Sequence, residues 1–180
     1  SLVADLIRAS ADDISAFRFP NGEMGQLPGL DGDLDVDNAM PPYVPARRSV
    51  WEFGTNENTI SKADKDYKKR TEQFSPEKRA DMTFVFVTPQ PWKNGSEKIG
   101  EWVDQKMALK EWGDVRLIDG VQLEHWLDMH PAVAARWARE EFGLMPKLGA
   151  RSTDEFWHQF SSRFDPPLTE DVVLCARLPK

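Results

Sequence analysis

A chain of 180 residues, 40% hydrophobic and 29% charged, holds enough apolar material for one domain with a real core. Its net charge of -7 argues against a general nucleic-acid coat protein, because affinity for phosphate backbone needs clustered Lys and Arg, but it leaves room for a local basic groove. The lone cysteine, Cys175, excludes a disulfide framework and a Cys-based zinc site within the chain, and no apolar run approaches the roughly 18 residues of a membrane span. No signal peptide is read, and a reducing cytoplasm is the expected compartment. The chain starts with Ser rather than Met and stops abruptly after Leu178-Pro179-Lys180, which suggests the N-terminal domain of something longer.

In chain order, Leu2, Val3, Leu6 and Ile7 have the spacing of a short amphipathic helix over residues 2–11. Ile14 to Phe19 alternates as a strand that Pro20 stops, and Asn21-Gly22 is a turn signal. In Gly29-Leu30-Asp31-Gly32-Asp33-Leu34-Asp35, two glycines bracket Asp31 and allow a bend or a close approach by another group. If the segment is extended, Asp31, Asp33, Asp35 and Asp37 share one face, which reads most simply as an acidic edge strand. The Asp spacing does not complete a calcium loop, because the glycine falls wrong and no closing Glu follows. Residues 38–48 carry Pro41, Pro42 and Pro45 and are expected as a loop closed by Arg47 and Arg48.

Ser49-Val50-Trp51-Glu52-Phe53-Gly54-Thr55 reads as a strand with Trp51 and Phe53 on one face and Val50, Glu52 and Gly54 on the other. A helix follows over about 60–74, with Ile60, Ala63, Tyr67 and Phe74 as its apolar stripe. Lys62, Asp66 and Lys69 lie along one flank of that stripe, and Lys65, Lys68 and Arg70 are expected to point outward. Met82 to Thr88 is apolar on both faces, as a strand covered by helices on either side would be. Helices are expected over 96–112, 121–129, 131–142 and from Ser152 onward, with a short strand at Val115–Ile118. Strands alternating with helices indicate an α/β domain of three layers, a central mixed sheet flanked by helices, whose first strands lack helical crossovers and run antiparallel. The expected organisation is one domain over 1–145, then a linker, a last helix and a tail over 146–180 leading to a missing downstream region.

Glu52 carries the chemistry. A carboxylate in an aromatic-flanked strand is costly to bury without a partner. One reading pairs it with a neighbouring Lys or Arg; the other makes it a metal ligand. A first-strand meander would bring Asp31 to a neighbouring strand position. Two carboxylates and a Lys suit a hard divalent cation, which activates water and neutralises charge building on a phosphate. His125, His130 and His158 sit on or beside Trp-rich helices and read as packing or surface residues. Gln90-Pro91-Trp92-Lys93 follows a strand where loops carry function, so it is a candidate for substrate contact.

Five stretches together resemble restriction-endonuclease-like domains of the PD-(D/E)xK superfamily: Gly29-Leu30-Asp31-Gly32, Val44-Pro45, Ser49 to Thr55, Lys62-Ala63 with Asp66-Tyr67 and Arg70, and Phe84 to Pro89. More narrowly, they resemble Mrr-like nuclease domains at the N-termini of large bacterial NTPase proteins tied to phage defence. The resemblance implies a restriction-endonuclease-like fold and a Mg²⁺- or Mn²⁺-dependent DNA endonuclease. It implies metal binding by Asp31 and Glu52 and a catalytic lysine. Where the motif lysine would stand, two residues after Glu52, this chain has Gly54, and Lys62 on the following helix is the expected replacement, with Lys65 and Lys69 behind it. Arg47, Arg48, Lys65, Lys68 and Lys69 are then the expected contacts to DNA phosphates. Further expected partners are downstream domains of the same polypeptide and a second copy of the chain. The competing expectation is a catalytically degenerate module on the same fold, serving protein or nucleic-acid interaction, motivated by Gly54 and the acidic balance. A metal-dependent hydrolase of small substrates is a third.

Overall fold

A computed structural model of the chain describes residues 1–20, 29–92, 95–144, 153–164 and 168–169. The expected turn at Asn21-Gly22, Lys93, the cap at Ser152 and the tail with Pro166-Pro167 and Cys175 lie outside them. The chain divides into two compact units, Ser1–His130 and Pro131–Lys180. The first holds α1 (Leu2–Ser10), β1 (Ile14–Arg18), β2 (Gly32–Val36), β3 (Arg47–Phe53), α2 (Thr59–Gln73), α3 (Pro76–Ala80), β4 (Thr83–Val87), α4 (Ser96–Ala108), β5 (Asp114–Ile118) and α5 (Gly120–Met129). The second holds α6 (Pro131–Phe142) and α7 (Thr153–Ser161).

The five strands form one mixed sheet in the order β1-β2-β3-β4-β5. β1, β2 and β3 are an antiparallel meander, as strands without crossovers must be, and β4 and β5 run parallel to β3. The acidic strand β2 therefore lies between two neighbours rather than at an edge. Its Leu34 and Val36 are fully buried, which sets the face it shows to the core, and the alternate Asp33 and Asp35 are half-buried on the other. β3 begins at Arg47, so Arg47 and Arg48 belong to the strand and not to the preceding loop.

Register fixes the two faces. Directly paired residues share a face, so Val50, Phe84 and Val115 lie together, as do Glu52, Phe86 and Leu117. This face is covered by α2 and α4: Val50, Phe84, Phe86 and Leu117 form one buried cluster with Ala63, Tyr67, Trp102 and Trp112. On the opposite face Trp51 packs against Trp126 of α5 at 6.5 Å, and the Trp126 indole N–H bonds Ser10 Oγ of α1 at 2.9 Å. The result is helices, sheet, helices. Among the described residues no helix is long and apolar enough to cross a membrane.

Local sequence explains the element ends near the site. Asn58 caps α2 by accepting from Ser61 N–H at 3.3 Å, and α2 ends where Phe74 turns extended ahead of Ser75-Pro76. α5 opens with a capping box between Asp119 and Gln122, and the second oxygen of Asp119 accepts from the Trp92 backbone N–H at 3.0 Å. Trp92 is thereby core material, 3% exposed and packed on Trp102, rather than a substrate-facing residue.

Candidate active site at the C-terminal ends of the parallel strands

Glu52 lies one residue from the end of β3, on the face covered by α2, opposite Phe86 of β4. β2 and β3 pair Gly32 with Trp51, so Asp31, one step before β2, stands beside Glu52. Asp31 Oδ2 accepts from the Phe53 backbone N–H at 2.8 Å, which fixes that carboxylate against the strand end. On the Trp51 face of the sheet, Gly32 lets the Phe19 ring pack close to the strand: a Cβ there would collide with Phe19 Cε1. The chain thus brings two carboxylates together at the C-terminal ends of parallel strands, where α/β sheets place their ligand crevices.

The cation on Glu52 is Arg70, and its Nε donates to Glu52 Oε1. Both side chains are buried, each residue 2% exposed. This corrects the expectation that Arg70 points outward. Arg70 falls on the line from Ala63 through Tyr67 to Phe74, so helical spacing already put it on the inward stripe; its charge alone suggested solvent. Burial pushes the Glu52 carboxyl up to about 7, opposed by the Arg70 hydrogen bond and reinforced by the negative charge of Asp31.

Lys62 runs where the sequence left room. A Cβ on Gly54 would lie 2.5 Å from Phe86 Cζ and 3.0 Å from Lys62 Cγ, so the ring and the lysine stem share the space over the glycine. The Lys62 ammonium is bonded to Asp66 Oδ2 at 2.6 Å, one turn along α2. Asp66 is 3% exposed and adds its negative charge to the field at Glu52. The cluster is therefore Asp31, Glu52, Asp66, Lys62 and Arg70. Asp66 and Arg70 were not singled out as site residues from the sequence. The signal was present: Lys62 and Asp66 are four apart, and a buried Glu needs a cation.

The other predicted residues are spread more widely. Lys65, Lys68 and Lys69 are exposed on α2, and with Lys62 they follow helical neighbour spacings of three and four. Arg47 and Arg48 stand at the opposite end of β3, roughly 17 and 13 Å from Glu52 at the rise of a strand. Arg48 is held by Asp33 through two bonds of 3.0 and 2.7 Å, and Arg47 reaches Asp81 at 3.8 Å. The structure does not bring these two arginines to the carboxylates. His130 Nε2 bonds Ser10 Oγ at 2.8 Å, a packing role.

No family model, curated protein or solved structure matches the chain. The chemistry of the cluster must therefore stand on its own geometry. Asp31 binds Phe53 N–H through one oxygen and Glu52 binds Arg70 through one oxygen. Among the described residues no three His, Cys, Asp or Glu side chains gather to hold a metal ion. A donor set of two carboxylates fits Mg²⁺, which is commonly bound by one or two carboxylates with waters and substrate phosphates completing its shell. It does not fit a caged calcium or zinc site.

Proposed function

We propose that the chain carries a divalent-metal-dependent endonuclease site of the restriction-endonuclease-like type, acting on DNA. The observation that carries the reading is the course of Lys62. Its stem crosses Gly54, where the motif lysine of that superfamily would stand, and its ammonium joins the carboxylates through Asp66, whose charge acts on Glu52. Asp31 and Glu52 hold the cation. When bound, Mg²⁺ or Mn²⁺ lowers the pKa of a coordinated water and offsets charge building on the phosphate. Lys62 has three donors, of which Asp66 takes one; the others serve a phosphate oxygen or the attacking water. Lys65, Lys68 and Lys69 extend a positive strip along α2 for neighbouring phosphates.

The test is plasmid cleavage by the full chain in Mg²⁺ or Mn²⁺ and in EDTA, beside Asp31→Asn, Glu52→Gln and Lys62→Met. Each variant is expected to lose about a hundredfold or more in rate, the scale of removing one group that stabilises developing charge. Equal cleavage by wild type and Glu52→Gln would sink the reading.

One observation favours a second reading. Arg70 closes on Glu52 in a buried ion pair, the arrangement of a structural carboxylate. On that reading the domain is a non-catalytic interaction module. Glu52→Gln then leaves partner binding intact, and no cation binds through Asp31.

A further inference from the structure

The Arg70 guanidinium reaches three acceptors in three places. Nε donates to Glu52 Oε1 on β3, Nη2 to the Gly29 carbonyl, and Nη1 to Gln73 Oε1 on α2 at 2.7 Å. Gly29 lies two residues ahead of Asp31, and Asp31 in turn holds the N–H of Phe53, the residue after Glu52. These bonds close a ring: Glu52, Arg70, Gly29, the short approach to Asp31, then Phe53 and back to Glu52. A guanidinium is a rigid planar fork, so bonding two groups with it fixes their relative position as well as their charge. An ammonium on a flexible stem supplies the charge without that constraint.

We infer that Arg70 is a positioning residue, whose fork sets the spacing of the Asp31 and Glu52 carboxylates by tying β3 to the segment that leads into β2. Its use in holding a cation rests on the proposed nuclease reading; the ring of bonds does not. The role differs from that of a simple charge partner. A charge partner would be replaced well by Lys, and a competitor for the cation would be improved by removal.

The test uses the full chain, nitrogen-15 labelled and metal-free, as wild type, Arg70→Lys and Gln73→Ala. The last variant frees one arm of the fork without unpairing Glu52, so it answers the question even if Arg70→Lys fails to fold. The readout is amide exchange at Phe53, whose N–H is held by Asp31. The internal control is the Gly54 N–H, bonded to the Val87 carbonyl at 2.9 Å on the other side of the strand. Positioning by the fork predicts exchange at Phe53 about tenfold faster in Arg70→Lys, the scale of one lost hydrogen bond, a smaller rise in Gln73→Ala, and Gly54 unchanged. Calorimetry with Mn²⁺ on the same samples is expected to show affinity about 10- to 100-fold weaker in Arg70→Lys. Unchanged Phe53 exchange in the folded variants overturns the inference, and so does tighter Mn²⁺ binding in Arg70→Lys. If wild type itself binds no Mn²⁺ through Glu52, the nuclease reading fails, while the exchange result still decides the role of Arg70.

Discussion

At the scale of single residues, Glu52 sets the terms. Its carboxyl is raised from 4.5 to about 7, chiefly by burial. The folded state therefore binds a proton more tightly than the unfolded one. The resulting stability is fully present below about pH 4.5 and is lost as pH rises through 7. The shift corresponds to about 3 kcal/mol. The urea-derived stability of wild type, measured relative to Glu52→Gln, is thus expected to fall by about that amount between pH 4.5 and 8. A flat difference across the range would show that Arg70 fully compensates the burial. Much of this was legible in the sequence. A Glu in an aromatic strand demanded a partner, either a neighbouring Lys or Arg or a metal ion. What could not be read was which cation arrives. That depends on how far α2 is rotated over the sheet, and two residues of α2, Lys62 and Arg70, were within reach.

At the scale of elements, the site is made by β3 handing over to α2. The strand ends at Phe53 and the helix starts at Thr59, and the glycine between them leaves the gap that Phe86 and Lys62 fill. Gly54→Ala must push one of them aside. The expected cost is about 1–3 kcal/mol of stability by chemical denaturation, the range for an overpacked core position, with Lys62 displaced from Asp66. Wild-type stability in that variant would mean the gap is looser than its contacts indicate. The gap was visible from sequence because side-chain alternation placed Gly54 on the Glu52 face. The strand limits were less visible. β3 starts two residues earlier than its apolar pattern, at Arg47, because Arg47 and Arg48 pair in register with Val36 and Asp35 of β2. A register is a long-range choice that a local pattern does not encode. The same holds for β2, whose alternating aspartates look like an edge until Arg48 is seen closing on Asp33.

At the scale of the whole molecule, the proposed nuclease reading has to reconcile a net charge of -7 with a polyanionic substrate. The strip of Lys65, Lys68 and Lys69 does so locally. Replacing all three with Gln is expected to make the slope of log affinity for DNA against log salt shallower by about 3, one counterion per lost contact. An unchanged slope would place the DNA on another surface. The α/β class and antiparallel start were legible because helix and strand periods alternate clearly and Phe84–Val87 is apolar throughout. Where compact units divide is a property of contacts between distant segments, which local periodicity does not carry. The proposed site stands on Asp31 and Glu52 together receiving a divalent cation. It is tested most directly by paramagnetic broadening of the amide spectrum with trace Mn²⁺. The signals of Asp31, Phe53 and Gly54 are expected to broaden first, recover with EDTA, and stay sharp in Glu52→Gln. Broadening confined to surface carboxylates such as Asp12, Asp37 or Asp81, with Phe53 unaffected, would contradict it.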